Sequence, residues 1–357
     1  MAQFCPKYGE FYKDLQSEVN QYFQENNLSK NGNWKNLAQY FGTISVLIIS
    51  WFILFVLRPH LWFSIWFYPV MGICVGILCV LGHESVHNCF SRNSKFNNLV
   101  KNTLNVLGGN WQHYRFKHSL HHNYTNIVGL DDDINFWPLV RTSPTDEFYF
   151  WHRFQHLYTP FLYCFAAFFL IFDFGFLSDK KIAEFSPIRL TKRNITFFWL
   201  SKICHILIFF IIPGLSVGFG WVVGGYLLMM VFTGLYLTLL IQPSHVFKGT
   251  TFWQVENDKI ETEWAKLIVQ TTANYNPKNR LLSYFSGGMN CHLVHSLFPT
   301  ISFVHYGKLN PIVLKICEKH QINYNEFQSV RTIIKSHFRH LYQMSYPPKF
   351  YQNQPTV

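Results

Sequence analysis

Seventeen histidines in 357 residues is a high count, and seven of them fall into three short clusters. His83 and His87 stand in HESVH, His118, His121 and His122 in HSLHH, and His292 and His295 in HLVHS. On a helix, positions i, i+3 and i+4 share one face, so such spacing can aim imidazoles at a common point. A lone HxxxH pair carries little information in a chain this rich in histidine. Three imidazoles on one polar face say more, because each needs a hydrogen-bond partner or a ligand. In HLVHS the i+4 place is taken by Ser296, where a third imidazole would complete the series. His245, in IQPSHVF, is an eighth candidate. His152 and His156 (HRFQH) have the same spacing but lie among aromatics, and we read them as hydrogen-bonding residues. His113 has no partner at such spacing and is read the same way.

Imidazole suits zinc, copper, iron and nickel. Seven or eight histidines are too many for a single four-coordinate zinc, whereas two six-coordinate ions would use them. Iron is the natural redox candidate because it can activate dioxygen. HESVH also fits HExxH, with Glu84 as the general base of a zinc protease, but the other clusters have no role in that chemistry. A redox metal pair beside a bilayer points to an apolar chain as substrate. The expected reaction removes two hydrogens from adjacent methylenes, with dioxygen and two external electrons as co-reactants.

The elements that must position these residues are largely apolar. The chain is 49% hydrophobic and only 14% charged, against about 25% charged in an average soluble protein. A spanning helix needs about 20 mainly apolar residues. Residues 39–57 and 61–81 qualify and form one hairpin; residues 195–213 and 219–241 form a second. Lys202 and His205 interrupt the third span and are expected to face other helices or water. HESVH follows the second span directly, which predicts a helix running on past residue 81.

Residues 157–177 are a fifth apolar stretch, interrupted by Pro160, Asp173 and Gly175. Lys7, Lys13, Lys30 and Lys35 precede the first span, and Lys180, Lys181, Arg189, Lys192 and Arg193 precede the third. Four crossings put all of these on the cytoplasmic side, as the positive-inside rule asks, and five would separate them. Residues 157–177 are therefore assigned to the interface. Residues 82–156 and 242–357 then form one cytoplasmic cap that carries every histidine cluster. The expected fold is an all-α integral membrane protein, with four transmembrane helices in two hairpins and a helical cap holding a di-metal site. Its expected parts are an N-terminal segment (1–38), a membrane domain (39–340) and a tail (341–357). The net charge of +11 suits an anionic membrane surface or substrate; the long apolar runs argue against nucleic acid. The eight cysteines form no CxxC pair and are read as reduced packing residues. The N-terminus lacks the apolar core of a signal peptide.

From about residue 39 to about residue 340 the chain resembles the membrane fatty acid desaturase family, and most closely its linoleoyl-CoA desaturase-like, front-end branch. HESVHNCFS resembles the family's first histidine box. WQHYRFKHSLHHNYTNIVGLDDDI resembles the second box with its acidic run, and QTTANYNPKNRLLSYFSGGMNCHLVHSLFP the segment leading into the third. The resemblance implies two irons as cofactors, with dioxygen as co-substrate. It places His83, His87, His118, His121, His122 and His295 on iron ligands and His245 on the extra histidine after the last span. His292 takes the first position of the third box, as in the broader family. Asp131, Asp132 and Asp133 fall on an acidic motif whose role is either a solvated loop or support of the ligands. The implied partners are a fatty acyl substrate (acyl-CoA, acyl-lipid or acyl-carrier), membrane lipids, and an external donor such as ferredoxin or a cytochrome. No HPGG haem signature occurs in the first 38 residues. A bacterial inner membrane or the endoplasmic reticulum is the implied location. Two departures stand out: Ser296 replaces the family's last box histidine, and Val294 replaces the glutamate before the histidine pair. These leave acyl hydroxylation, acetylenic bond formation, or impaired catalysis as alternatives to desaturation.

Overall fold

In the computed structural model, residues 2–172, 191–255 and 257–347 are described. Asp173, Gly175, the end of the expected interfacial stretch (173–177), the basic residues Lys180, Lys181 and Arg189, and residues 348–357 of the expected tail lie outside them. In chain order the principal helices are α1 (Glu10–Glu25), α2 (Trp34–Phe52), α3 (Phe67–Val86), α4 (Ser94–Val106), α5 (Trp111–Tyr124) and α6 (Gln155–Ile171). They continue with α7 (Lys192–Ile206), α8 (Phe219–Ile241), α9 (Trp264–Thr271), α10 (His292–Leu297), α11 (Tyr306–Lys319) and α12 (Val330–Met344). Two pairs of two-residue parallel strands complete the framework: β1 (Gln3–Phe4) with β2 (Lys259–Ile260), and β3 (Asn274–Tyr275) with β4 (Glu326–Phe327).

Five helical segments among the described residues are long and apolar enough to cross a membrane: Trp34–Leu57, Trp62–Val86, Phe150–Ile171, Lys192–Val217 and Phe219–Ser244. Four correspond to the expected spans. The fifth, Phe150–Ile171, contains most of the stretch that charge alone assigned to the interface. Length and composition thus admit one more crossing than the four expected.

The described residues divide into two compact units, the chain passing between them after Lys30, Phe116, Phe161 and Thr238. One unit holds α2, α3, α4, α7 and most of α8. Its helices approach closely through small residues, as helices in lipid must when no hydrophobic drive presses them together. A Cβ on Gly72 of α3 would lie 2.4 Å from the Met229 carbonyl of α8, and Thr233 Oγ1 donates to the Gly72 carbonyl at 2.9 Å. Many other apolar side chains face outward, including Ile48, Ile49 and Leu57, all more than half exposed. Lys202 is buried and donates to the carbonyls of Gly108 and Ile171, and His205 Nε2 lies 2.7 Å from Tyr226 Oη. Both thus turn to other segments, as expected of polar groups in an apolar helix.

The other unit holds α1 and α9–α12. Helix α1 buries Phe11, Leu15, Val19 and Phe23, one helical turn apart, and packs against α11. Arg141 is fully buried and donates to four carbonyls, those of Pro144, Asp146, Met344 and Tyr346, tying the end of α12 to the loop before α6. All eight cysteines are free thiols, five of them buried.

Candidate metal centre

The HSLHH cluster lies in the last two turns of α5. Asn110 opens this helix by accepting from the Gln112 and His113 amides at 3.0 Å. At about 100° per residue, His122 sits some 40° from His118 on one side and His121 about 60° on the other. One helix therefore serves two directions. His118 and His122 point their Nε2 atoms at each other across 2.9 Å. His295, from α10, stacks on His118 with centroids 6.2 Å apart and meets His122 edge-on at 4.9 Å. His121 instead meets His245 edge-on at 4.6 Å, and His245 meets His292 at the same separation. Donor nitrogens lie within 4.8 Å of one another in each trio, His118–His122–His295 and His121–His245–His292.

In the other unit, α3 runs to Val86 with His87 as its C-cap. The helix continues past residue 81, as the sequence predicts, and brings His83 Nε2 and His87 Nε2 to 3.2 Å. Burial and the nearby Arg115 guanidinium push the His87 pKa down to about 4.

Three outward-facing ring nitrogens, on His118, His121 and His295, are held by partners. Both carboxylate oxygens of Asp131 lie 2.9 Å from His121 Nδ1, and Asp133 Oδ2 lies 3.2 Å from His118 Nδ1. Tyr306 Oη lies 2.9 Å from His295 Nδ1. An Nδ1 that donates to oxygen leaves Nε2 as a lone-pair donor, the usual arrangement behind a metal-bound histidine. Asp131 also accepts from the Asn126 and Asp133 amides, at 2.9 and 3.1 Å, so one buried carboxylate fixes both the ring and its loop. Burial draws the His121 pKa down, but Asp131 more than offsets this and the net shift is upward.

His245 and His292 supply the test of whether a metal fits. Both are buried, and none of their four ring nitrogens has a hydrogen-bond partner. Leaving such groups unsatisfied in a core is costly. Burial, then the neighbouring His121, lowers the His292 pKa to about 3. Burial, then His292 and His121, takes His245 well below the ordinary value, and the Thr271 backbone opposes them. Neutral imidazoles with free lone pairs are what a cation requires. The Nε2–Nε2 separations of 2.9 and 3.2 Å also match adjacent ligands on one ion with metal–nitrogen bonds of about 2.1 Å.

A fatty acid desaturase model matches residues 60–328. The chain belongs to this family. Among its curated relatives, the sn-1 linoleoyl-lipid 6-desaturase of Arthrospira platensis is 30% identical over 95% of this chain and 94% of its own length. The enzyme of the same name from Synechocystis sp. is 29% identical over 96% of this chain and 97% of its own. An acyl-lipid (8-3)-desaturase from Physcomitrium patens is 26% identical over 93% and 71%. The front-end resemblance is borne out, and the desaturases to which the chain is similar are oxidoreductases of lipid metabolism.

Against this family pattern, Ser296 is fully buried and its hydroxyl has no hydrogen-bond partner. Of the histidines read as structural, His152 and His156 are hydrogen-bonded. His152 Nε2 lies 2.9 Å from the Pro138 carbonyl, its Nδ1 accepts from the Tyr149 amide, and His156 Nδ1 lies 3.2 Å from Ser345 Oγ. Glu84 is buried and accepts from Asn36 Nδ2 at 3.0 Å, a poor setting for a base that must activate water. Tyr306 escaped sequence reasoning. It lies 11 residues beyond His295 and carries no local signal that its hydroxyl would meet that ring.

Proposed function

We propose that the chain is an oxygen-dependent acyl desaturase that introduces a double bond into a lipid-linked acyl chain with a pair of irons. In this reading His118, His122 and His295 are ligands of one iron and His121, His245 and His292 of the other, and His83 and His87 are further iron ligands. The unpartnered, buried ring nitrogens of His245 and His292 carry the reading, because neutral imidazoles with free lone pairs and no protein partner suit a cation. Two bound irons would supply the activation of dioxygen. Removing two hydrogens from neighbouring methylenes balances with one O2, two external electrons and two protons to give an alkene and two waters. The chain's own residues orient the site and keep it dry: Asp131, Asp133 and Tyr306 fix rings, and the packing that buries the imidazoles excludes water that would quench the reaction. Lipid-linked substrates in the names of the cyanobacterial relatives favour an acyl-lipid over an acyl-CoA or acyl-carrier. A ferredoxin or a cytochrome would serve as the separate electron donor.

The charge distribution supports four crossings, with residues 157–177 at the interface and the active site on the cytoplasmic side, in residues 39–340 flanked by 1–38 and 341–357. Metal analysis of the detergent-purified protein, paired with lipid analysis of cells expressing it, tests the function. Two irons per chain and an oxygen-dependent product two hydrogens lighter are expected. One zinc without iron would overturn the reading. A product heavier by one oxygen would mean hydroxylation, and loss of four hydrogens in all an acetylenase.

The unpartnered hydroxyl of Ser296 favours one second reading, a desaturase-like protein weak in catalysis for want of an imidazole. Ser296→His separates the two. Activity that appears only in the variant supports the second reading, and activity already present in the parent supports the first.

A further inference from the structure

The carbonyl of His122 stands in the last turn of α5, where helix carbonyls lose their intrahelical partners. The amide one turn ahead, that of Asn126, donates to Asp131 instead. The indole of Trp264 replaces it, with Nε1 donating to the His122 carbonyl at 2.9 Å. Trp264 opens α9 and is buried. It is 142 residues from His122 along the chain, so this bond must be held by something other than local geometry.

What holds it is the N-terminal segment. Strand β1 pairs with β2 just before Trp264, and the pairing is extended by Gln3 N to the Asp258 carbonyl at 2.9 Å and Cys5 N to the Ile260 carbonyl at 3.1 Å. The Trp264 amide donates to the Lys7 carbonyl at 3.3 Å. Tyr12 packs edge-on against the indole with centroids 5.4 Å apart. Gly9 caps α1 without a side chain, and the cap acceptor is supplied in trans by Glu263, whose Oε1 takes the Tyr12 amide at 2.8 Å. A Cβ on Gly9 would come within 2.4 Å of the Glu263 carboxylate, so the bare backbone there is what lets the carboxylate in. On the far side, Phe4 stacks on Tyr124 at 6.2 Å, and Tyr124 Oη donates to the Ala2 carbonyl at 3.2 Å. Residues 2–12 thus grip both the end of α5 and the start of α9.

We infer that Trp264 is a positioning residue for His122, and that residues 2–12 form a strap that holds the indole in place. Loosening the strap would loosen the ligand turn of α5, and with it the metal. The metal part rests on the function proposed above.

The test uses the full chain, iron-loaded in detergent, comparing Trp264→Phe and a deletion of residues 2–8 with the parent. Trp264→Phe keeps the aromatic packing and removes the donor. Amide exchange over residues 118–126 is expected to quicken about fivefold, the effect of one lost hydrogen bond, and iron release to a chelator to quicken by a similar factor. The global unfolding midpoint should move little in Trp264→Phe. Unchanged exchange over 118–126 in both variants overturns the inference, as does faster exchange with parental iron release. If Trp264→Phe does not fold, the deletion decides alone. Parent protein that takes up no iron would sink the desaturase reading instead, and the exchange over 118–126 would then decide the strap by itself.

Discussion

At the residue scale, oxygens behind three of the rings, those of His118, His121 and His295, fix which nitrogen faces inward. Asp131 does most here, since it binds His121 Nδ1 and two backbone amides at once. Asp131→Asn keeps the shape, but its amide offers one acceptor in place of two and no charge. Groups behind metal ligands are typically worth 10–100-fold in metal affinity, so iron affinity measured by competition with a chelator should fall by about tenfold or more. The solvated-loop reading of the acidic run fails for Asp131 and Asp133, whose carboxylates reach the rings of His121 and His118. Sequence inspection could flag three consecutive aspartates but not which of them turn inward. His340 offers a separate test away from the metal. It is buried, and burial lowers its pKa to about 4; Arg141 adds to this, and the Thr142 carbonyl it bonds at 2.7 Å opposes it. The folded chain therefore holds fewer protons on this ring than the unfolded chain, with its ordinary value near 6.5. His340 contributes stability that is complete above about pH 6.5 and is lost progressively as pH falls to about 4. His340→Gln, an uncharged replacement, should flatten part of that fall in thermal unfolding between those pH values.

At the element scale, the apolar helices were readable because their length and composition answer to the thickness of a bilayer. How closely they approach was not. Gly72 looks like any other small residue in an apolar run, yet a methyl group there would meet the Met229 backbone carbonyl. Backbone yields less readily than a side-chain tip, and overpacking of this kind costs about 1–3 kcal/mol. Gly72→Ala should lower the unfolding midpoint in detergent, whereas Gly224→Ala, with nothing within 4 Å, should leave it in place. The same scale explains the split of HSLHH. Spacing puts three histidines on one broad face, but the 100° turn per residue sends His121 to a different trio from His118 and His122.

At the scale of the whole molecule, the number of crossings is the open quantity with the clearest consequence. Phe150–Ile171 is long and apolar enough to span, whereas the positive-inside rule favours an interfacial place for residues 157–177. Four crossings leave both termini on one side of the membrane; five put them on opposite sides. Reporters fused to the N-terminus and to the C-terminus should both report the cytoplasm, and a split result would require the fifth crossing.

The sequence by itself determined the apolar helices, the three histidine boxes and the family, because these are set by short-range spacing and by composition. It also marked Ser296 as a departure, since one missing imidazole is visible in a string of letters. The tertiary structure decided the grouping of the histidines, with His245 and His292 meeting His121 and His295 meeting His118 and His122. It likewise decided the roles of Tyr306 and Trp264. These are contacts between residues 11 to 177 positions apart, set by how helix ends pack and by which buried polar groups still need a partner, and no local period records them.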